Sequence, residues 1–124
     1  MKFDRTEPCA SCPYRRDAPP RLWHPSEFER LLAQDADSIG GAIYGCHEGR
    51  RKPAADHRAC VGWLIDQRRR GAPSIQLRLR LMHDPQAAAT FREARSPAPL
   101  FRSIAAMCRA NGVRVPRAVP CAGA

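Results

Sequence analysis

Cys9-Ala10-Ser11-Cys12-Pro13-Tyr14-Arg15, taken with Cys46-His47 and Cys60, holds most of the chemistry in this chain. A Cys-x-x-Cys turn brings two sulfurs within reach of one ion, and the amides inside the turn can donate hydrogen bonds to the thiolates. Zinc needs two further donors for a closed tetrahedral site, and Cys46 and Cys60 are the natural pair. The same four thiolates also suit an iron–sulfur cluster of the 4Fe-4S type. Cys12-Pro13 favours a cluster, as do single cysteines scattered after one Cys-x-x-Cys. A third alternative has no metal, with reduced core thiols or a redox Cys-x-x-Cys. The redox motif expects a preceding strand and a following helix, which Pro13 and its irregular surroundings do not offer.

Other polar residues gather near these cysteines. His47 adjoins Cys46, where it can support a ligand sulfur through a hydrogen bond or replace a ligand. His57, three residues before Cys60, is a second supporting candidate. For both, a plain polar neighbour is the simpler reading, and His24 and His83 read as surface residues. Cys108 lies on the apolar face of a late helix and suits core packing. Cys121, between Pro120 and Ala122, reads as an uninvolved thiol. Trp63 reads as a core anchor beside the site rather than a base-stacking platform.

These residues need elements to hold them. Residues 1–25 carry Pro8, Pro13, Pro19, Pro20 and Pro25, too many for a helix. A metal at Cys9 and Cys12 would fix such a segment. A first helix is expected from Ser26, with Ser26 and Glu29 as a capping box, fading near Asp37. Ala42 to His47 reads as a short strand or extended segment ending in potential ligands. A second helix is expected from about His57 to Arg70, with Gly71 as its C-terminal cap. Ile75 to Met82 alternates strictly, Ile75, Leu77, Leu79 and Leu81 against Gln76, Arg78 and Arg80, and predicts a strand. Gln86 to Arg95 predicts a helix with a thin apolar face. Leu100 to Asn111 predicts another helix, stopped at Asn111-Gly112. Residues 113–124 are expected to be extended against the body or frayed.

Composition narrows the function classes. At 124 residues with twelve prolines, one domain over residues 1–124 is expected. A chain of that size buries only about two-thirds of its unfolded surface, so an internal cross-link helps it. The net charge is +9, which suits an acidic partner such as nucleic acid. The candidates for that contact are Arg15 and Arg16 after the knuckle and Arg68, Arg69 and Arg70 at a helix end. Nearly all the positive charge is Arg, however, with Lys only at Lys2 and Lys52. High Arg and Ala with little Lys is what a GC-rich coding sequence gives whatever the function. The triple Arg is also explained by the helix dipole alone. No window approaches a membrane span, and the first residues lack the apolar core of a signal peptide. A soluble, cytoplasmic protein follows as the expectation, one in which six cysteines favour metal ligands over disulfides. There is no phosphate-binding Gly loop, no Ser nucleophile elbow and no His-Glu-x-x-His. A zinc deaminase would need a spaced His-x-Glu before its Cys-x-x-Cys, and His47-Glu48 is adjacent and comes after. A non-enzyme is favoured.

The order Pro8-Cys9-Ala10-Ser11-Cys12-Pro13-Tyr14-Arg15, the Phe28 helix, Gly45-Cys46-His47, then Ala59-Cys60-Val61-Gly62-Trp63-Leu64 resembles a family of small uncharacterised proteins from bacteria and phages, a domain of unknown function. Its pattern is Cys-x-x-Cys-Pro-x-Arg, later Cys-His, later Cys-Ala-Gly-Trp or -Phe, with Val61 here where Ala is more usual. Leu100-Phe101 to Met107 and Asn111-Gly112-Val113 resemble that family's last helix. The resemblance implies a common structural or redox role for Cys9, Cys12, Cys46 and Cys60, and no activity. The expected architecture is an α+β domain of about three helices and one or two short strands around a four-Cys metal site. The expected function is a structural zinc module associated with nucleic acid. The alternatives are an iron–sulfur redox or sensor protein and an adaptor that binds another protein.

Overall fold

The computed structural model describes residues 1–37, 39–49 and 52–116. Its five α-helices are α1 (Pro25–Ala36), α2 (Val61–Arg70), α3 (Ile75–His83), α4 (Pro85–Glu93) and α5 (Ile104–Ala110). Single 3-10 turns occur at His47–Gly49 and Ala54–Asp56. No strand or sheet occurs among the described residues. Extended backbone meets only in isolated bridges, Lys2 with Arg58, Arg15 with Leu100 and Gly45 with Ala59. The α+β expectation is therefore overturned, and the fold is helical.

The largest correction is Ile75–Met82, expected as a strand and found within α3. Its alternation places Leu77 in the core but leaves Ile75, Leu79 and Met82 exposed. A strand there would need a partner for its backbone, whereas a helix satisfies its own. The local residues agree with the helix. Leu, Arg, Gln and Met are strong helix formers, and Ile75 is the one β-branched residue among them. Ser74 caps the start by accepting from Leu77 N, and Arg80 pairs with Asp84 one turn on at 2.9 Å. Asp84 then caps α4, accepting from Gln86 N and Ala87 N, with Pro85 at its first position. The expected Gln86–Arg95 helix is thus found one residue earlier, at Pro85–Glu93. Ala42–His47, expected as a short strand or extended segment, forms no strand and contributes a single bridge at Gly45.

The helix starts also differ from expectation. α1 begins at Pro25, not Ser26, and its N-cap is His24, whose Nδ1 accepts from Ser26 N. A residue whose side chain accepts from the free amides can cap as Ser does. α1 buries Glu27, Phe28 and Leu31 while Glu29 stays exposed. α2 begins at Val61 rather than His57, because Arg58 and Ala59 are held extended by the bridges. It ends as expected at Gly71, which has φ 71°. α5 begins at Ile104 rather than Leu100 because Leu100 pairs with Arg15.

α2 is central, burying seven successive residues from Val61 to Gln67. It packs against α4, α4 against α3, and α5 against α1. Tyr14, Phe28, Leu31, Leu64, Leu77 and Met107 are fully buried among them. Val113, in the segment expected to be extended or frayed, is buried in this core, and its N–H donates to Cys108 O at 2.9 Å. Residues 117–124, including Cys121, lie outside the described residues. No helix among the described residues is long and apolar enough to cross a membrane.

Arg68 ties two of these helices together. Its guanidinium donates to Phe91 O at 2.8 Å, Arg92 O at 3.1 Å and Ala94 O at 2.7 Å. Those carbonyls belong to the last turn of α4 and its cap, where an α-helix leaves acceptors unfilled. Arg68→Ala is expected to lower stability by about 2 kcal/mol, the scale of hydrogen bonds to a charged donor. Arg68→Lys should recover only part of that loss, since an ammonium lacks the planar fork. Urea unfolding of the two variants checks this. An unchanged midpoint in Arg68→Ala would remove the tie from the account.

Candidate metal centre

Three stretches of backbone carry the four cysteines, of which Cys9 and Cys46 meet Glu48 in one close group while Cys12 and Cys60 lie outside that group. The first is the knuckle itself, where Cys12 N donates to Cys9 O and Arg15 N to Cys12 O, each at 3.0 Å. Tyr14, fully buried, anchors it to the core. Phe101 N donates to Tyr14 O and Arg16 N to Pro99 O, both at 2.9 Å, so the segment before α5 clamps the knuckle. From the other side the Trp23 indole N–H donates to Ser11 O at 3.1 Å. The other two stretches are the ends of the 46–60 loop. Cys46 N donates to Arg58 O at 2.7 Å and Cys60 N to Tyr44 O at 2.9 Å, so Cys46 and Cys60 leave a common bridge. Lys2 lies on the far side of the Arg58 segment, with Lys2 N on His57 O at 2.7 Å. Cys60 is the N-cap of α2, so its side chain leaves the chain at the first turn of that helix.

The sulfurs form a connected chain. Cys9 Sγ and Cys46 Sγ, 37 residues apart in sequence, are 3.9 Å apart. The Cys9 thiol also contacts that of Cys12, and Cys12 contacts Cys60. A tetrahedral zinc with bonds of about 2.3 Å to sulfur places its sulfurs about 3.8 Å apart, so the Cys9–Cys46 spacing matches one edge of such a site. A cubane cluster binds each cysteine to a different iron and holds the sulfurs farther apart.

Charge at the site follows from this crowding. Hydrogen bonds from the Cys12 and Cys46 thiols pull Cys9 far below the ordinary thiol value, against burial. Cys12 is pushed up by its contacts with Cys60 and Cys9 and by burial. Cys46 is pushed up chiefly by Cys9. Like charges this close cannot all ionise unaided, and a cation among them reverses that. The backbone favours thiolates at two points, with an amide hydrogen bond to Cys12 from Tyr14 and to Cys46 from Glu48.

Sequence reasoning missed Glu48. A carboxylate oxygen of Glu48 and the sulfurs of Cys9 and Cys46 all lie within 4.8 Å of one another. Glu48 accepts from Ser11 Oγ at 2.9 Å, and Ser11 Oγ is 3.8 Å from Cys9 Sγ. The available signal was the spacing Cys46-His47-Glu48, which a one-turn 3-10 helix folds back toward the same point. Trp23, which steadies the knuckle, was also missed.

The supporting histidines differ in placement. The His47 ring is buried against Trp23, with ring centres 4.8 Å apart. Its Nε2 is 3.3 Å from Tyr44 Oη and 3.8 Å from the Glu27 carboxylate. Burial lowers its pKa to about 4, so it is neutral at pH 7. His57 Nε2 donates to Lys52 O at 2.8 Å and so braces the 46–60 loop. The arginines marked for nucleic acid are mostly engaged within the chain. Arg15 grips Asp17 at 2.7 and 2.8 Å. Arg68 caps α4, Arg69 donates to Phe101 O, and Arg70 pairs with Asp35 and Asp66. Arg16 is exposed, and Trp63 is a buried core residue. Cys108 is fully buried in the core, and burial lifts its thiol pKa to about 11.

Residues 4–122 match the model of a family of unknown function, DUF6283. No curated protein and no solved structure matches the chain significantly.

Proposed function

The chain belongs to this family of unknown function, and we propose that it is a small domain organised around a structural zinc ion. Cys9, Cys12, Cys46 and Cys60 are the ligands, and Glu48 lies at the outer edge of the site. The observation that carries this reading is the 3.9 Å approach of Cys9 and Cys46 sulfurs from distant parts of the chain. The amides on Cys12 and Cys46 support it, as does the mutual pressure against ionisation that a cation relieves. When bound, the ion supplies a cross-link. It joins the irregular first 25 residues and the 46–60 loop to the N-terminus of α2. A bound zinc with four protein ligands has no open position for substrate, which fits a structural role better than a catalytic one.

Metal analysis and an absorption spectrum on protein purified without oxygen test this reading. About one zinc per chain in a colourless sample is the expected result. A brown sample with iron, sulfide and cluster–thiolate absorption would replace it with the iron–sulfur alternative. A chain holding neither metal would return the cysteines to the core.

A further inference from the structure

The four sulfurs are not equally accessible. Cys9 and Cys46 are partly exposed, whereas Cys12 and Cys60 are each 3% exposed. The accessible pair is also in contact, its sulfurs 3.9 Å apart. A small oxidant approaching from solvent therefore meets two neighbouring sulfurs with the other two behind them. We propose that Cys9 and Cys46 are a modification site for hydroperoxides, which join them in a disulfide and expel the metal. Release of zinc rests on the reading above, while formation of the disulfide rests on the sulfur geometry alone.

The step balances with the peroxide as oxidant. Sulfur of Cys9 attacks the peroxide, the O–O bond breaks, and Cys9 becomes a sulfenic acid as the alcohol or water departs with a proton. Sulfur of Cys46 then attacks Cys9 sulfur, the S–O bond breaks, and hydroxide leaves as water after taking a proton. Two thiols and one hydroperoxide thus give one disulfide, one alcohol (or water) and one water, with two electrons passing from sulfur to oxygen. Two of the four thiolates are then lost to the metal. Cys12 and Cys60 remain, and two thiolates with one exposed carboxylate do not make a closed site. Cys9 and Cys46 also belong to different parts of the fold, so the disulfide keeps the knuckle and the loop joined after the ion has gone.

The experiment uses the wild-type chain, purified without oxygen, and titrates it with hydrogen peroxide. Released zinc is read with a coloured chelator. Remaining thiols are then blocked, and the disulfide is located by trypsin and mass spectrometry. Arg5 and Arg15 bracket a peptide holding Cys9 and Cys12, and Arg30 and Arg50 bound the region holding Cys46. A Cys9–Cys46 link therefore joins two peptides, whereas Cys9–Cys12 stays within one. The expected result is one Cys9–Cys46 disulfide formed in step with zinc release and reversed by dithiothreitol with added zinc. Cys9 and Cys46 should lose their thiols about tenfold faster than Cys12 and Cys60, as accessibility directs. A Cys9–Cys12 or Cys12–Cys60 link would overturn the proposal, as would zinc retained in excess peroxide. A Cys9–Cys46 link in a chain purified without zinc would overturn the zinc reading and leave the modification site standing.

Discussion

Cys60→Ser is expected to bind no zinc and to be largely unfolded at 25 °C. Cys60 caps α2, is 3% exposed, and touches Cys12. Structural zinc contributes on the order of 10–16 kcal/mol in small zinc domains near neutral pH. The whole stability of a domain this size is about 5–15 kcal/mol. Losing one of four thiolates therefore removes a contribution comparable to the entire margin. Serine also weakens packing, so the measurement needs a control that separates the two effects. Cys108→Ser supplies it, because Cys108 is equally buried, lies on α5 and is not one of the four proposed ligands. That variant should lose about 1–3 kcal/mol, the scale of burying an unpartnered hydroxyl, and keep its zinc. Circular dichroism with metal analysis on both proteins makes the comparison. A strong chelator added to the wild type should reproduce the Cys60→Ser result. Full zinc and a wild-type melting midpoint in Cys60→Ser would remove Cys60 from the site.

How much of this was legible in the sequence depends on the range of the interaction concerned. Sequence-local signals were readable. Gly71 ends α2 in the left-handed conformation, and Asn111 caps α5. Cys-x-x-Cys-Pro marked the knuckle, and the buried stripe Cys60, Val61, Leu64 and Ile65 marked α2. Ile75–Met82 alternates as a strand does, but alternation with only one β-branched side chain does not select a strand. Leucine and arginine at alternate positions fit a helix as well, and an exposed Ile75, Leu79 and Met82 cost little on a surface. Helix starts failed where a distant partner decided them. Arg58, Ala59 and Leu100 all have acceptable helix neighbours, but bridges to Lys2, Gly45 and Arg15 hold them extended. Glu48 was illegible for the same reason, since its approach to Cys9 depends on how a loop 39 residues later folds back over the knuckle.

Gly62→Ala should destabilise the protein, although helix propensity alone predicts the reverse. Inside a helix, Ala is more favourable than Gly by about 1 kcal/mol. At position 62 a Cβ would lie 2.6 Å from Tyr14 Cβ, 2.8 Å from Cγ and 2.9 Å from Cδ2. These atoms are not the free end of a flexible side chain. Tyr14 Cβ is attached to knuckle backbone, and that backbone is pinned by Phe101 N on Tyr14 O. Relief would require moving α2 away from the knuckle, which separates Cys60 from Cys12. Overpacking of a rigid contact costs about 1–3 kcal/mol, so the net effect should be a loss despite the gain in propensity. Zinc affinity should fall together with stability, because the same displacement spreads the ligands. Tyr14→Phe distinguishes this packing role from a polar one. The Tyr14 hydroxyl is buried with no hydrogen-bond partner among the described residues, so its removal should be neutral or stabilising. Chemical denaturation and competitive zinc titration of the two variants read both effects. A Gly62→Ala protein that is more stable than wild type and binds zinc equally well would show that α2 and the knuckle do not meet at this contact.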